Sequence, residues 1–166
     1  MGRSRKPLSR FLLRRFESSS LRQRILMKTF NKKELSIIGA ILYRCEGTQL
    51  RRDKRRKNEV YHWVIEFTNS DPLLIKLFLD FLRRVIVIDE TRLKAQLFIH
   101  NDLDKLGLQR KWSKIAGIPL KNFNKTIVLR SKGPNARLSR YGTLKIRYHS
   151  KEAFQRFSEL IHDTLM

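Results

Sequence analysis

The chain has 166 residues, 41% of them hydrophobic, enough for one compact domain with its own core plus an extension. Its formal net charge of +22 is far beyond what folding requires, and points to a polyanionic partner, nucleic acid first, in a signature shared with basic ribosomal and polybasic membrane-surface proteins. The single cysteine, Cys45, excludes an internal disulfide and, with no Cys/His cluster, a structural zinc site, so a reducing compartment is expected.

Residues 1–30 read as a segment apart. Arg3, Arg5, Lys6, Arg10, Arg14, Arg15, Arg22, Arg24 and Lys28 stand there against one acid, Glu17, around a serine run. Three readings stay open: a basic arm that tracks phosphates by counterion release, a mitochondrial transit peptide, and a worn-down helical module from "LSRFLLRRF" and "LRQRILMKTF". The arm is preferred, with a bacterial-type cytoplasm ahead of a mitochondrion as location.

The domain proper, residues 31–166, opens on "FNKKEL". Asn31 can cap a helix, Glu34 can reach back to the cap amide, and Phe30 can staple onto Leu35. The helix is expected from Lys32 to Glu46, ending at Gly47 in the left-handed conformation that glycine best adopts. Leu35, Ile38, Leu42 and Cys45 form one apolar stripe, which predicts a buried Cys45. Ser36, Gly39, Ala40 and Tyr43 form a second face of small residues and one aromatic. Such a helix wants burial on two sides, against its own sheet and against a second helix close enough to need small side chains. Its terminal acid is odd, because the macrodipole there is already negative.

The basic run "RRDKRRK" comes next, with Arg51, Arg52, Lys54, Arg55, Arg56 and Lys57 in a turn on the same end of the domain as Glu46. "EVYHWVIEFTN" is rich in β-branched and aromatic residues and predicts a central strand. "SDPLLIKLFLDFLRRV" predicts a helix capped by Ser70 or Asp71, with Pro72 in its first turn and Leu74, Leu77, Phe78, Phe81, Leu82 and Val85 on an apolar face. Arg83 and Arg84 close this greasiest stretch well short of the roughly 20 residues that span a bilayer, so a soluble protein with no membrane partner is expected.

"RLKAQLFIH" alternates as a strand, with Leu93, Ala95, Leu97 and Ile99 inward and Lys94, Gln96 and His100 outward. A shorter helix is expected in "LDKLGLQRKWSKIAG", weakened by Gly107 and ended by Gly117 and Pro119. "KTIVLR" and "GTLKIRYHS" predict two strands joined by "SKGPNARLSRY", which carries Lys132, Arg137 and Arg140. In the second strand Leu144, Ile146 and Tyr148 alternate with Thr143, Lys145, Arg147 and His149, so one face is apolar and the other cationic. "SKEAFQRFSELIHDTLM" predicts a closing helix capped by Ser150, with Phe154, Phe157, Leu160, Ile161 and Leu165 on one side. Trp63 and Trp112 read as core or core-edge, and the four histidines show no metal spacing.

The order of elements predicts an α+β domain, with helices on one face of an antiparallel sheet and a basic open face opposite. A twisted sheet of this kind makes a saddle that can lie on a duplex.

"GAILYRCEGT", with its terminal acid and glycine, resembles the motif that names the LAGLIDADG homing endonucleases. The downstream strings "VIEFTNSDPLLIKLFLDFLRR", "GIPLKNFNKT" and "YGTLKIRYHS" are similar to single-motif members, and the resemblance runs from Asn31 to the C-terminus. It implies the LAGLIDADG-type saddle and two motif helices packed at its centre, with Ser36, Gly39, Ala40 and Tyr43 as the dimer face. It also implies a divalent metal, Mg²⁺ or another, beside the scissile phosphates at Glu46 and Gly47, the positions of the motif's acid and closing glycine. Glu46 stands where aspartate is commoner, and Ile41 where the motif has an inner glycine. No lysine is assigned by the motif; Lys125 and Lys145 are the candidates by strand position. One motif per chain implies a homodimer on a near-palindromic site. The expected activity is site-specific cleavage of double-stranded DNA, with Mg²⁺ held by one or two carboxylates and substrate phosphates. The alternative on the same scaffold is a non-cleaving DNA-binding regulator or an intron-RNA-binding protein, and the plain alternative for Glu46 is an acid neutralised by Arg51 or Arg52.

Overall fold

A computed structural model describes residues 30–48, 51–52, 61–130 and 141–165, the side chains of Arg51, Arg52 and Tyr61 excepted. The described helices and strands all belong to the unit Asn31–Met166. Helix α1, Lys32–Glu46, starts on a complete capping box: the Glu34 amide donates to the Asn31 side chain at 2.9 Å, and the Asn31 amide donates to the Glu34 carboxylate at 2.8 Å. Two of the orphan amides of the first turn are thereby satisfied.

The other end departs from expectation. Gly47 is extended, with φ −81° and ψ 158°, not left-handed. The chain does not reverse here but feeds straight into strand pairing: Gly47 bridges Phe67, and the Thr48 amide donates to the Glu66 carbonyl at 3.0 Å. Glycine is needed for a different reason, since a Cβ at position 47 would overlap the edge of the Tyr43 ring at Cδ2. Past this point β1, Arg51–Arg52, runs antiparallel to β2, Tyr61–His62, which leads into β3, Val64–Asn69.

Helix α2, Pro72–Phe81, takes Asp71 as its cap and Pro72 in its first turn, where a missing N–H is harmless. It continues as a π-helical turn, Leu82–Ile86. Arg83 fastens this end: its guanidinium lies 2.6 Å from the Glu90 carboxylate and donates to the Ala116 carbonyl at 3.0 Å, so the end of α3, Lys105–Ala116, is tied to it. Strand β4, Leu93–His100, alternates buried and half-buried along its whole length, as its sequence predicts. Gly117 ends α3 in the left-handed conformation, φ 64°. Strands β5, Ile127–Leu129, and β6, Thr143–His149, and helix α4, Lys151–Leu165, complete the order.

The class is α+β, and the described sheet is mixed: β3-β6-β4-β5, with β6 antiparallel to both neighbours and β5 parallel to β4. An all-antiparallel sheet was expected. A parallel pair needs a crossover connection long enough to bring the chain back to the same end of the sheet, and α3 with the residues around it supplies one between β4 and β5. Strand β3, expected to be central, ends this ladder, and its outer edge is met by Gly47.

Helices α1, α2 and α4 contribute the side chains that cover the inner face. Ile65 and Phe67, Leu93 to Ile99 at alternate positions, and Leu144, Ile146 and Tyr148 meet Ile75, Phe78, Leu79, Phe81, Phe154 and Phe157. An aromatic cluster fills the middle, with Phe67 stacked on Phe78 at 4.3 Å and Tyr43 edge-on to Phe157 at 4.4 Å. Pairs of this kind contribute roughly 0.5–1.5 kcal/mol beyond their buried area.

This cluster corrects the reading of α1. Gly39, Ala40 and Tyr43 are buried inside their own chain, and a Cβ on Gly39 would overlap the Phe81 ring. Ser36, half-buried, turns its hydroxyl to the Lys32 carbonyl. The small side chains therefore admit α2, not a second copy's helix. The uncharged side chains of α1 left outside are Ile37, 42% exposed, Ile41, 48% exposed, and Cys45, which the stripe had placed inside.

Candidate nucleic-acid interface

The period of two that sends Leu144, Ile146 and Tyr148 into the core sends their neighbours to the opposite face of the sheet. The register then fixes who stands beside whom. Arg147 lies opposite Glu66 on one side and Lys94 on the other, and Lys145 lies between Thr68 and Gln96. Phe98 and Thr143 make the next row, and His149 pairs across from Val64. Lys94, Lys145 and Arg147 are all half-buried, so part of each long side chain is covered and part is open to solvent. The Lys94 ammonium donates to the Asn122 amide oxygen at 3.2 Å, and the Lys145 ammonium sits 5.5 Å from the centre of the Phe98 ring. Neither contact neutralises a charge.

Among the described strand positions of this face Glu66 is the single acid. It is 7% exposed, and its carboxylate lies 2.6 Å from Arg147 Nε. The contact is an ion pair, not an aligned hydrogen bond: Nε is buried, and among the described residues its N–H has no hydrogen-bond acceptor. Sequence reading passed over Glu66, although its place in "VIEFT" between two inward residues puts it on the outer face.

Close by, the His149 imidazole is held below its ordinary 6.5, chiefly by burial and then by the Arg147 charge, with Glu66 opposing and His62 and Arg92 adding to the depression. The Arg92 guanidinium donates to the His149 carbonyl. The Tyr43 hydroxyl, which donates to the Thr48 carbonyl, is pushed up to about 12 by burial and secondarily by Glu66.

Glu46 is exposed at the C-terminal end of α1, one residue before the chain joins the edge of β3. The helix end adds partial negative charge and carbonyl oxygens without intrahelical donors. Among the described residues no three His, Cys, Asp or Glu side chains gather in one place. One carboxylate with nearby carbonyls fits a hard cation such as Mg²⁺ only where phosphate oxygens or another chain complete its shell.

The other expected site residues divide in two. Lys145 lies on β6 as expected, whereas Lys125 precedes β5 and is exposed, with its carbonyl accepting from Gln96 Nε2 at 3.1 Å. Lys125 is thus not a strand residue, which removes the ground on which it was chosen. Lys54, Arg55, Arg56, Lys57, Lys132, Arg137 and Arg140 lie outside the described residues, as do the side chains of Arg51 and Arg52 and any pairing of these with Glu46. Trp112 is fully buried, its indole donating to the Tyr141 carbonyl at 2.7 Å. Among the described residues no helix is long and apolar enough to cross a membrane.

Compared with known proteins, the chain matches no family model, no curated protein and no solved structure.

Proposed function

We propose that the protein binds double-stranded DNA on the open face of its sheet and, as a homodimer, cleaves it with the help of a divalent cation at Glu46. The carrying observation is the row structure of that face, where Lys94, Lys145 and Arg147 stand on adjacent strands opposite a helical core. Lysine and arginine on a twisted sheet match the two rows of phosphates that flank a groove. The resemblance of "GAILYRCEGT" to the LAGLIDADG motif supplies the nuclease half of the proposal and its saddle geometry. The homodimer is supported by Ile37 and Ile41, one helical turn apart and exposed beside an otherwise buried helix face.

Glu46 would hold the cation where the helix end already favours positive charge. When bound, Mg²⁺ lowers the pKa of a coordinated water and stabilises charge on the leaving oxygen. The chain's own contribution is to orient the duplex by its lysines and to bring the carboxylate to the phosphate.

Selection of cleaved and bound sites from a randomised duplex pool, with and without Mg²⁺, tests both halves. We expect Glu46→Gln to abolish cleavage and to leave duplex affinity equal or slightly higher, because a charge that repels phosphate is gone. Cleavage that survives in this variant removes Glu46 from the mechanism. Sites that are bound but never cut by the native chain leave a DNA-binding protein without nuclease activity.

A further inference from the structure

We propose that Arg147 reads a guanine base through the major groove and that Glu66 is the residue that positions it to do so. The inference rests on the open face being a duplex-binding surface, and it assigns to one cation on that face a task different from the others.

A carboxylate is a poor choice on a surface that meets phosphates, since it repels the ligand. Glu66 is nevertheless set in the same cross-strand row as Arg147 and Lys94, and it is nearly buried. Its geometry gives it a purpose. The carboxylate lies against Arg147 Nε at 2.6 Å, while 34% of the Arg147 side chain stays exposed. With Nε buried and set against this carboxylate, the terminal nitrogens are the donors left for a ligand. They present two parallel donors, the pattern that matches guanine O6 and N7, the commonest specific contact in the major groove. An arginine fixed in advance on one edge also loses less rotamer freedom on binding than a free one.

Lys94 and Lys145 lack such a device. Lys94 donates to an amide oxygen and Lys145 lies over the Phe98 ring, so each offers a single ammonium with no paired donors, a point charge suited to phosphate. The face thus separates register from reading: the lysines hold the backbone and the braced arginine distinguishes the base pair.

The test is site selection from a randomised duplex pool with the full chain, beside Arg147→Lys and Glu66→Gln, together with the salt dependence of affinity for each. Arg147→Lys keeps the charge, so its salt dependence should match the native chain, while preference for guanine at one position falls about tenfold. Glu66→Gln should weaken preference at that same position and raise affinity for unrelated duplex; thermal unfolding verifies that each variant is folded. Unchanged guanine preference in Arg147→Lys overturns the inference, as does a native chain that binds with steep salt dependence but prefers guanine nowhere. Loss of preference in Arg147→Lys with none in Glu66→Gln overturns the role of Glu66. If the native chain binds no duplex, or binds it independently of salt, the duplex-binding reading itself fails and this inference falls with it.

Discussion

At the scale of single residues, Gly39 and Gly47 show what a sequence can and cannot disclose. Small side chains at helical spacing announce that something comes close, without saying what. At Gly39 the close neighbour is the Phe81 ring of the same chain, which leaves no room for a Cβ. Gly39→Ala should therefore destabilise the fold by about 1–3 kcal/mol, the usual cost of overpacking, seen as a lower urea midpoint at an unchanged slope. A variant as stable as the native chain would mean that Phe81 yields freely. Gly47 was legible as the end of the helix but not as an extended residue, because the Tyr43 ring that requires glycine there comes from the preceding turn. The pH response belongs to this scale as well. His149 titrates below its ordinary 6.5 in the folded chain, so unfolding takes up a proton as pH falls from about 6.5 through that lower value. Its contribution is complete above the unfolded value and is lost across that window. Melting temperature should thus fall more steeply on acidification in the native chain than in His149→Gln, and parallel slopes would count against it.

Elements whose signals are local were readable: the capping box of α1, the Asp71–Pro72 start of α2, the alternation of β4 and β6, and the glycine stop of α3. Pairing was not readable, because the same alternation serves a strand whatever its neighbours. The chain places β6 between β3 and β4 and turns β5 parallel, a choice made by the crossover through α3 and not by any residue in the strands. Alternation nevertheless assigned Lys94, Lys145 and Arg147 to the face opposite the core, since a residue's face depends on its parity alone. Helix α1 went the other way: both named faces lie mostly inside the chain, and the exposed apolar pair, Ile37 and Ile41, belongs to neither of them, because which residues meet solvent depended on where α2 lies. The exposed pair Ile37 and Ile41 now carries the prediction of self-association. Ile41→Glu should shift the protein from dimer to monomer in sedimentation equilibrium with the thermal midpoint little changed, because a half-exposed side chain contributes little to the monomer's core. A native chain that is already monomeric at high concentration, or a variant that sediments as the native chain does, removes α1 as the dimer contact.

For the whole molecule, salt should act in two directions at once. A formal net charge of +22 on 166 residues repels itself, and that repulsion weakens as the Debye length contracts from about 30 Å at 0.01 M to about 10 Å at 0.1 M. Thermal stability of the free protein should therefore rise over this range. Duplex affinity should fall over the same range, because each phosphate neutralised releases condensed counterions and contributes a slope of about −0.9 in log affinity against log salt. Opposite signs in response to one variable separate a cationic fold that uses its charge on DNA from one that merely tolerates it. The open face can be tested inside the same titration. Converting both Lys94 and Lys145 to Gln removes two cations that have no acid partner at the described positions, so the slope should become shallower by about 1.8. Stability at low salt should rise slightly in the same variant, since two repelling charges are gone. A slope unchanged by the double substitution would move the phosphate contacts off the sheet and onto the basic segments elsewhere in the chain.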